Sequence, residues 1–184
     1  MVPGGGFLAA WRLKRHAVSV VGSLFAEPEP DQVAWLAALE PNGDEDHARW
    51  ELRYARRAAG MLAAQRDAVD DRTAAAVGRA LTEAFHADHT IARDRAEIAL
   101  RQFNERLAAY REVLAARQTT PTKQRLGQVL LTFLGRPTSA SEDTATRAGE
   151  IVEQALASAN AELRREFGDV SLPENIVPSE AAGR

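Results

Sequence analysis

The chain contains no cysteine, which excludes a disulfide framework, a thiolate nucleophile and every zinc or iron–sulfur site that needs thiolate ligands. Aromatic residues make up only 6% and alanine is frequent, a combination that favours closely packed helices and disfavours an all-β fold. There is no Gly-x-Ser-x-Gly elbow, no Walker-type phosphate loop and no Gly-x-Gly-x-x-Gly after a strand, so the usual acyl-transfer and phosphate chemistries have no visible seat. A basic excess is missing as well. The formal net charge of -3 and pI near 5.9 argue against a nucleic-acid binder, which neutralises phosphates with lysine and arginine.

What is present is enough for one domain. A chain of 184 residues can bury a core without staples. Its charge is uneven: residues 1–26 hold Arg12, Lys14 and Arg15 and no acid, about +3 locally, leaving about -6 for the rest. Met1 to Gly6 read as a flexible leader. From Phe7 to Phe25 the chain is helix-compatible, until Pro28 and Pro30 break it. Further helices are expected over roughly 31–39, 44–68, 71–85, 91–117, 121–134 and 141–167, separated by turn signals such as Pro41-Asn42-Gly43 and Gly135 with Pro137.

Within 44–68, Trp50, Tyr54, Ala58, Met61 and Leu62 recur at helical spacing and form one buried stripe. Within 91–117, Ala96, Leu100, Phe103, Leu107, Tyr110 and Leu114 alternate steps of four and three, a coiled-coil-like seam. The expected fold is therefore all-α, an antiparallel helical bundle of about six or seven helices with a basic-apolar N-terminal helix. The chain divides into leader and N-terminal helix (1–26), bundle domain (27–168) and a tail (169–184) whose two prolines and lack of period predict an extended or disordered segment.

Candidate chemistry rests on histidine and carboxylate. Glu83-x-x-His86 and Asp44-x-x-His47 match the Glu-x-x-His step with which helical bundles hold iron or manganese. Rotation by about 100° per residue places Glu83 and His86 largely outward from Leu81, whereas His47 and Glu51 fall within about 60° of the inward Tyr54. His47, Glu51, Glu83 and His86 are thus the ligand set of an alternative iron, manganese or zinc protein, weighed against helix-end ion pairs. His86-x-x-His89 reads as a solvated loop. Arg49, Arg53, Arg56 and Arg57 flank the Trp50/Tyr54 stripe; acids on neighbouring helices explain them better than a bound base or phosphate.

The N-terminal helix is the unusual element, because Phe7, Trp11, Val18 and Phe25 line one side while Leu13, Val20 and Leu24 line the other. Its basic cluster interrupts the apolar run in the middle, unlike a membrane span or a signal peptide. Three placements remain for it: wedged within its own fold, packed on a second subunit, or lying peripherally on an anionic membrane through residues 7–25. The expected function is a non-enzymatic, cytoplasmic interaction or assembly protein that needs no cofactor. Its partner is itself or another helical protein, met by Phe7, Trp11, Arg12, Arg15 and Phe25. The alternatives are the metalloprotein above and a small-ligand pocket between helices.

Overall fold

The computed structural model describes residues 5–67, 70–136 and 140–168. Seven α-helices and no strand occur among them: α1 (Gly5–Leu24), α2 (Pro30–Ala37), α3 (Glu45–Asp67), α4 (Asp71–Ala87), α5 (Ala96–Ala115), α6 (Thr122–Phe133) and α7 (Glu142–Phe167). The all-helical bundle expected from the sequence is what forms. The tail expected over 169–184 lies outside the described residues.

Local chemistry sets the helix boundaries. Proline opens α2, where its missing N–H costs nothing. The carboxylate of Asp70 accepts the Thr73 amide at 2.7 Å to start α4, and Ser141 accepts the Thr144 amide to start α7. Gly135 and Gly168 follow α6 and α7 with φ of 80° and 82°, a left-handed conformation that glycine adopts without strain. The sequence suggests one helix from residue 91; instead Arg93–Arg95 form a separate 3-10 turn, with Ile91 half-buried in the loop before it.

One core joins all seven helices, with Val20 and Leu24 of α1, Leu36 of α2, Ala58 of α3, Phe85 of α4, Tyr110 of α5, Leu130 of α6 and Val152 of α7 among its members. The proline break after residue 26 is therefore a break in the chain and not in the packing. Helix α3 touches each of the six others. Its run of Ala55, Ala58, Ala59, Ala63 and Ala64 is buried almost completely, because small side chains let neighbours approach from every direction. A helix enclosed in this way must pair its own charges inside the fold.

The most intimate contact joins α6 to α7. A Cβ at Gly127 would stand 1.8 Å from the Ala145 carbonyl oxygen, and one at Gly149 would stand 2.0 Å from that of Lys123. The two glycines thus remove side chains where one backbone lies against the other.

Candidate functional site

Helix α1 has two faces. Ala17, Val20, Val21 and Leu24 are buried, and Leu24 crosses α3 where Gly60 has no side chain, a Cβ there meeting Leu24 at 2.2 Å. On the opposite face Leu8, Trp11 and Val18 stand 56%, 53% and 50% exposed. Together with Arg15 and Gly22 they follow steps of three and four, the spacing of a helix-pairing seam. The Arg15 guanidinium lies 5.1 Å from the centre of the Trp11 ring, so the middle of this seam is cationic. Arg12 is exposed beside it, and Lys14 reaches Glu83 of α4 at 3.5 Å.

The sequence places five contact residues on this helix. Trp11, Arg12 and Arg15 do share the outer surface, and the Phe7 side chain lies outside the described residues. Phe25 belongs elsewhere. It packs edge-on against Phe85 at 5.6 Å and underlies the guanidinium of Arg57 at 3.8 Å. The helix ends at Leu24, so the 3.6-residue period that groups Phe25 with Trp11 and Val18 no longer governs it, and its ring turns into the core.

One flank of α1 is pinned to the end of α7. Glu166 lies 2.8 Å from His16 Nδ1 and accepts the Ser19 hydroxyl at 2.9 Å. The hydrogen bonds from His16 and then Ser19 hold its carboxyl down to about 2. A carboxyl lowered on folding stabilises fully above its unfolded value, near 4.5, and that contribution disappears as the pH falls through 2. An NMR titration of the Glu166 side-chain carbon is expected to show a midpoint near 2 in the native protein. In His16→Ala the midpoint rises towards the ordinary glutamate range; an ordinary midpoint in the native protein would remove the pin.

The second place with site character is an open cleft of about 770 Å³ between α3, residues 90–95 and α5, lined among others by His47, Trp50, Glu51, Tyr54, Gln102 and Arg106. Its inner wall is an ion pair: Arg106 gives Nε to Glu51 Oε2 at 3.0 Å and Nη2 to Oε1 at 2.5 Å. Both residues are more than nine-tenths buried. Arg106 lies over the rings of Tyr54 and Phe133 at 5.0 and 4.2 Å, and the Tyr54 hydroxyl donates to Gln102 Oε1 at 2.9 Å. Burial pushes the Tyr110 hydroxyl above its ordinary range; the Glu51 charge adds to this and Arg106 opposes it. His47 sits at the outer end, its Nδ1 3.1 Å from Glu40 Oε2 and its Nε2 3.7 Å from Glu51 Oε1.

This wall is closed chemically. Arg106 occupies both oxygens of Glu51, leaving the carboxylate committed to a bidentate clamp. Glu83 and His86 lie apart from it on α4, where Glu83 faces Lys14 and His86 lies 4.0 Å from Glu97 of α5. Among the described residues no three histidine or carboxylate side chains are grouped to hold a metal ion. The four-residue ligand set suggested by His47, Glu51, Glu83 and His86 is therefore corrected: the fold joins the first two and turns the other two outward.

The arginine strip is also resolved into separate tasks. Arg49 meets Asp46, Arg53 meets Glu27 while stacking on Trp50 at 4.7 Å, and Arg56 donates to the carbonyls of Ala26 and Glu27 at the end of α1. Arg57 is only 2% exposed and donates to Asp88 at 3.0 Å, with the rings of Phe25 and Phe85 over its face. Burial lowers the Arg57 guanidinium from its ordinary value, with Asp88 opposing the shift. Burial raises the Asp88 carboxyl, but hydrogen bonds from Thr90 and the Arg57 charge outweigh it and leave the group lowered.

Sequence reasoning missed Arg57 and Arg106 as buried groups. The signal was present: Arg57 stands seven residues after Trp50, and Arg106 three after Phe103 and four before Tyr110, both on apolar stripes. None of the helices described is long and apolar enough to cross a membrane. No protein-family model matches the chain, and neither does a curated protein or a solved structure.

Proposed function

We propose that this chain is a non-enzymatic interaction protein that docks a helix of another protein against the outer face of α1. One observation carries the reading. Of the four large apolar side chains exposed among the described residues, three are Leu8, Trp11 and Val18, and they lie on one pairing seam of one helix. Such a concentration takes no part in the core formed by the described residues, whereas it is the arrangement that helix-in-groove recognition uses. The α3/α5 cleft supports the alternative of a ligand pocket less well, because Glu51 and Arg106 on its inner wall satisfy each other.

The test keeps fold and surface apart. Deleting residues 1–26 would remove Val20, Val21 and Leu24 from the core, so substitution is preferable. In a Leu8→Gln, Trp11→Gln, Val18→Gln variant, each change is expected to alter stability by about 0.5 kcal/mol or less, with helicity by circular dichroism unchanged. A library of amphipathic helical peptides panned on both proteins is expected to enrich sequences on the native chain and lose them on the variant. Equal recovery from both, or collapse of the variant's fold, overturns the reading.

A further inference from the structure

We infer that the partner helix is acidic and amphipathic, with a carboxylate set between its apolar positions where it meets Arg15. This rests on the docking reading above and adds the chemistry of what docks.

Arg15 decides the matter. It occupies the centre of a seam running from Leu8 to Gly22, about 21 Å at 1.5 Å per residue, and its guanidinium is held over Trp11 rather than directed away. Helix α1 contains no acid, and among the described residues neither Arg12 nor Arg15 is joined to a carboxylate, whereas Lys14 is. An apolar helix laid on this seam would desolvate Arg15 without compensation; a helix with a carboxylate at that level gains a charge-assisted hydrogen bond instead.

A second copy of this chain fits poorly. In-register pairing of two α1 seams, parallel or antiparallel, sets Arg15 against its own copy. Pairing α1 with a different face of a second copy needs another apolar seam, and outside α1 the described residues expose only Ile98 as a large apolar group. A lipid surface fits less well than a single helix, because the apolar strip is narrow, is divided by Arg15, and is bordered by Glu83, 62% exposed on α4. The remainder of the chain is net acidic, so an anionic helix is repelled elsewhere and drawn to α1.

The experiment uses the full chain and three probes. Two are helical peptides of about 15 residues, long enough for the seam, with leucine at the flanking seam positions and either glutamate or lysine at the centre. The third is a set of vesicles of phosphatidylserine with phosphatidylcholine. Calorimetric titration is expected to show the native chain preferring the glutamate peptide by about tenfold, Arg15→Glu reversing that order, and Arg15→Gln binding the two alike. Vesicles are expected to bind neither the native chain nor its variants. Equal affinity of the native chain for both peptides overturns the acidic-partner inference and leaves the docking reading standing. An order unchanged in Arg15→Glu, or vesicle binding lost in that variant, overturns the inference too, the latter naming the membrane as occupant. Peptide binding that survives the Leu8, Trp11 and Val18 replacement removes the docking reading itself.

Discussion

Glu51→Ala is expected to destabilise the protein by roughly 3–5 kcal/mol, because it leaves the Arg106 guanidinium in the interior without its counter-charge. The carboxylate is 2% exposed and takes two bonds from Arg106, which solvent at the floor of the cleft replaces only in part. Arg106→Ala should cost a similar amount, now stranding Glu51 beside the buried Tyr110. The double replacement Glu51→Met, Arg106→Met separates the cost of breaking the pair from the value of having it. Two apolar side chains of similar reach can occupy the space, and the double variant is expected to be far more stable than either single alanine variant. Urea unfolding monitored by circular dichroism measures all three. Single variants within about 1 kcal/mol of the native protein would mean that the pair is solvated in solution.

Gly127→Ala is expected to cost about 3 kcal/mol, at the upper end of overpacking penalties, although alanine in a helix is ordinarily better than glycine by about 1 kcal/mol. The obstacle is the Ala145 carbonyl oxygen, a backbone atom that moves only if α7 moves. Gly149→Ala meets the Lys123 carbonyl in the same way. Since both changes push α6 and α7 apart, the second should cost less once the first is made. Gly22 supplies the contrast: nothing lies within 4 Å of a Cβ there, and Gly22→Ala should stabilise by about 0.5–1 kcal/mol. If thermal unfolding shows Gly127→Ala at or above native stability, the close α6–α7 approach is absent in solution.

The contrast between these glycines shows where reading the sequence stops. The helices were legible because each depends on nearby residues: an apolar period, an N-cap such as Asp70 or Ser141, a glycine after the last turn. Which glycine sits against a neighbour is not, since nothing local distinguishes Gly22, Gly60 and Gly127, each of them a glycine within a helix. The candidate site divides in the same way. The double-faced character of α1 followed from its own residues, and so did the outward direction of Glu83 and His86. That Glu51 would be captured by Arg106, fifty-five positions along the chain, depends on which helices become neighbours. Arg57 and Arg106 are hard to place for another reason: charge argues for exposure, even where the spacing puts them on an apolar stripe. Their burial becomes acceptable only when the third dimension supplies Asp88 and Glu51.

The contact of α3 with each of the six other helices has a consequence for the order in which the chain acquires structure. Before residue 45 is added, α1 and α2 are the described helices present, and α3, which touches both, is not. Each helix made after α3 finds α3 already there to pack against. Helix α1 meets its last partner late, because Glu166, which meets both His16 and Ser19, is 150 residues beyond His16. The inner face of α1 packs on α3 and α4 as well as on α7, so it closes in stages as those helices appear, while the outer face stays open.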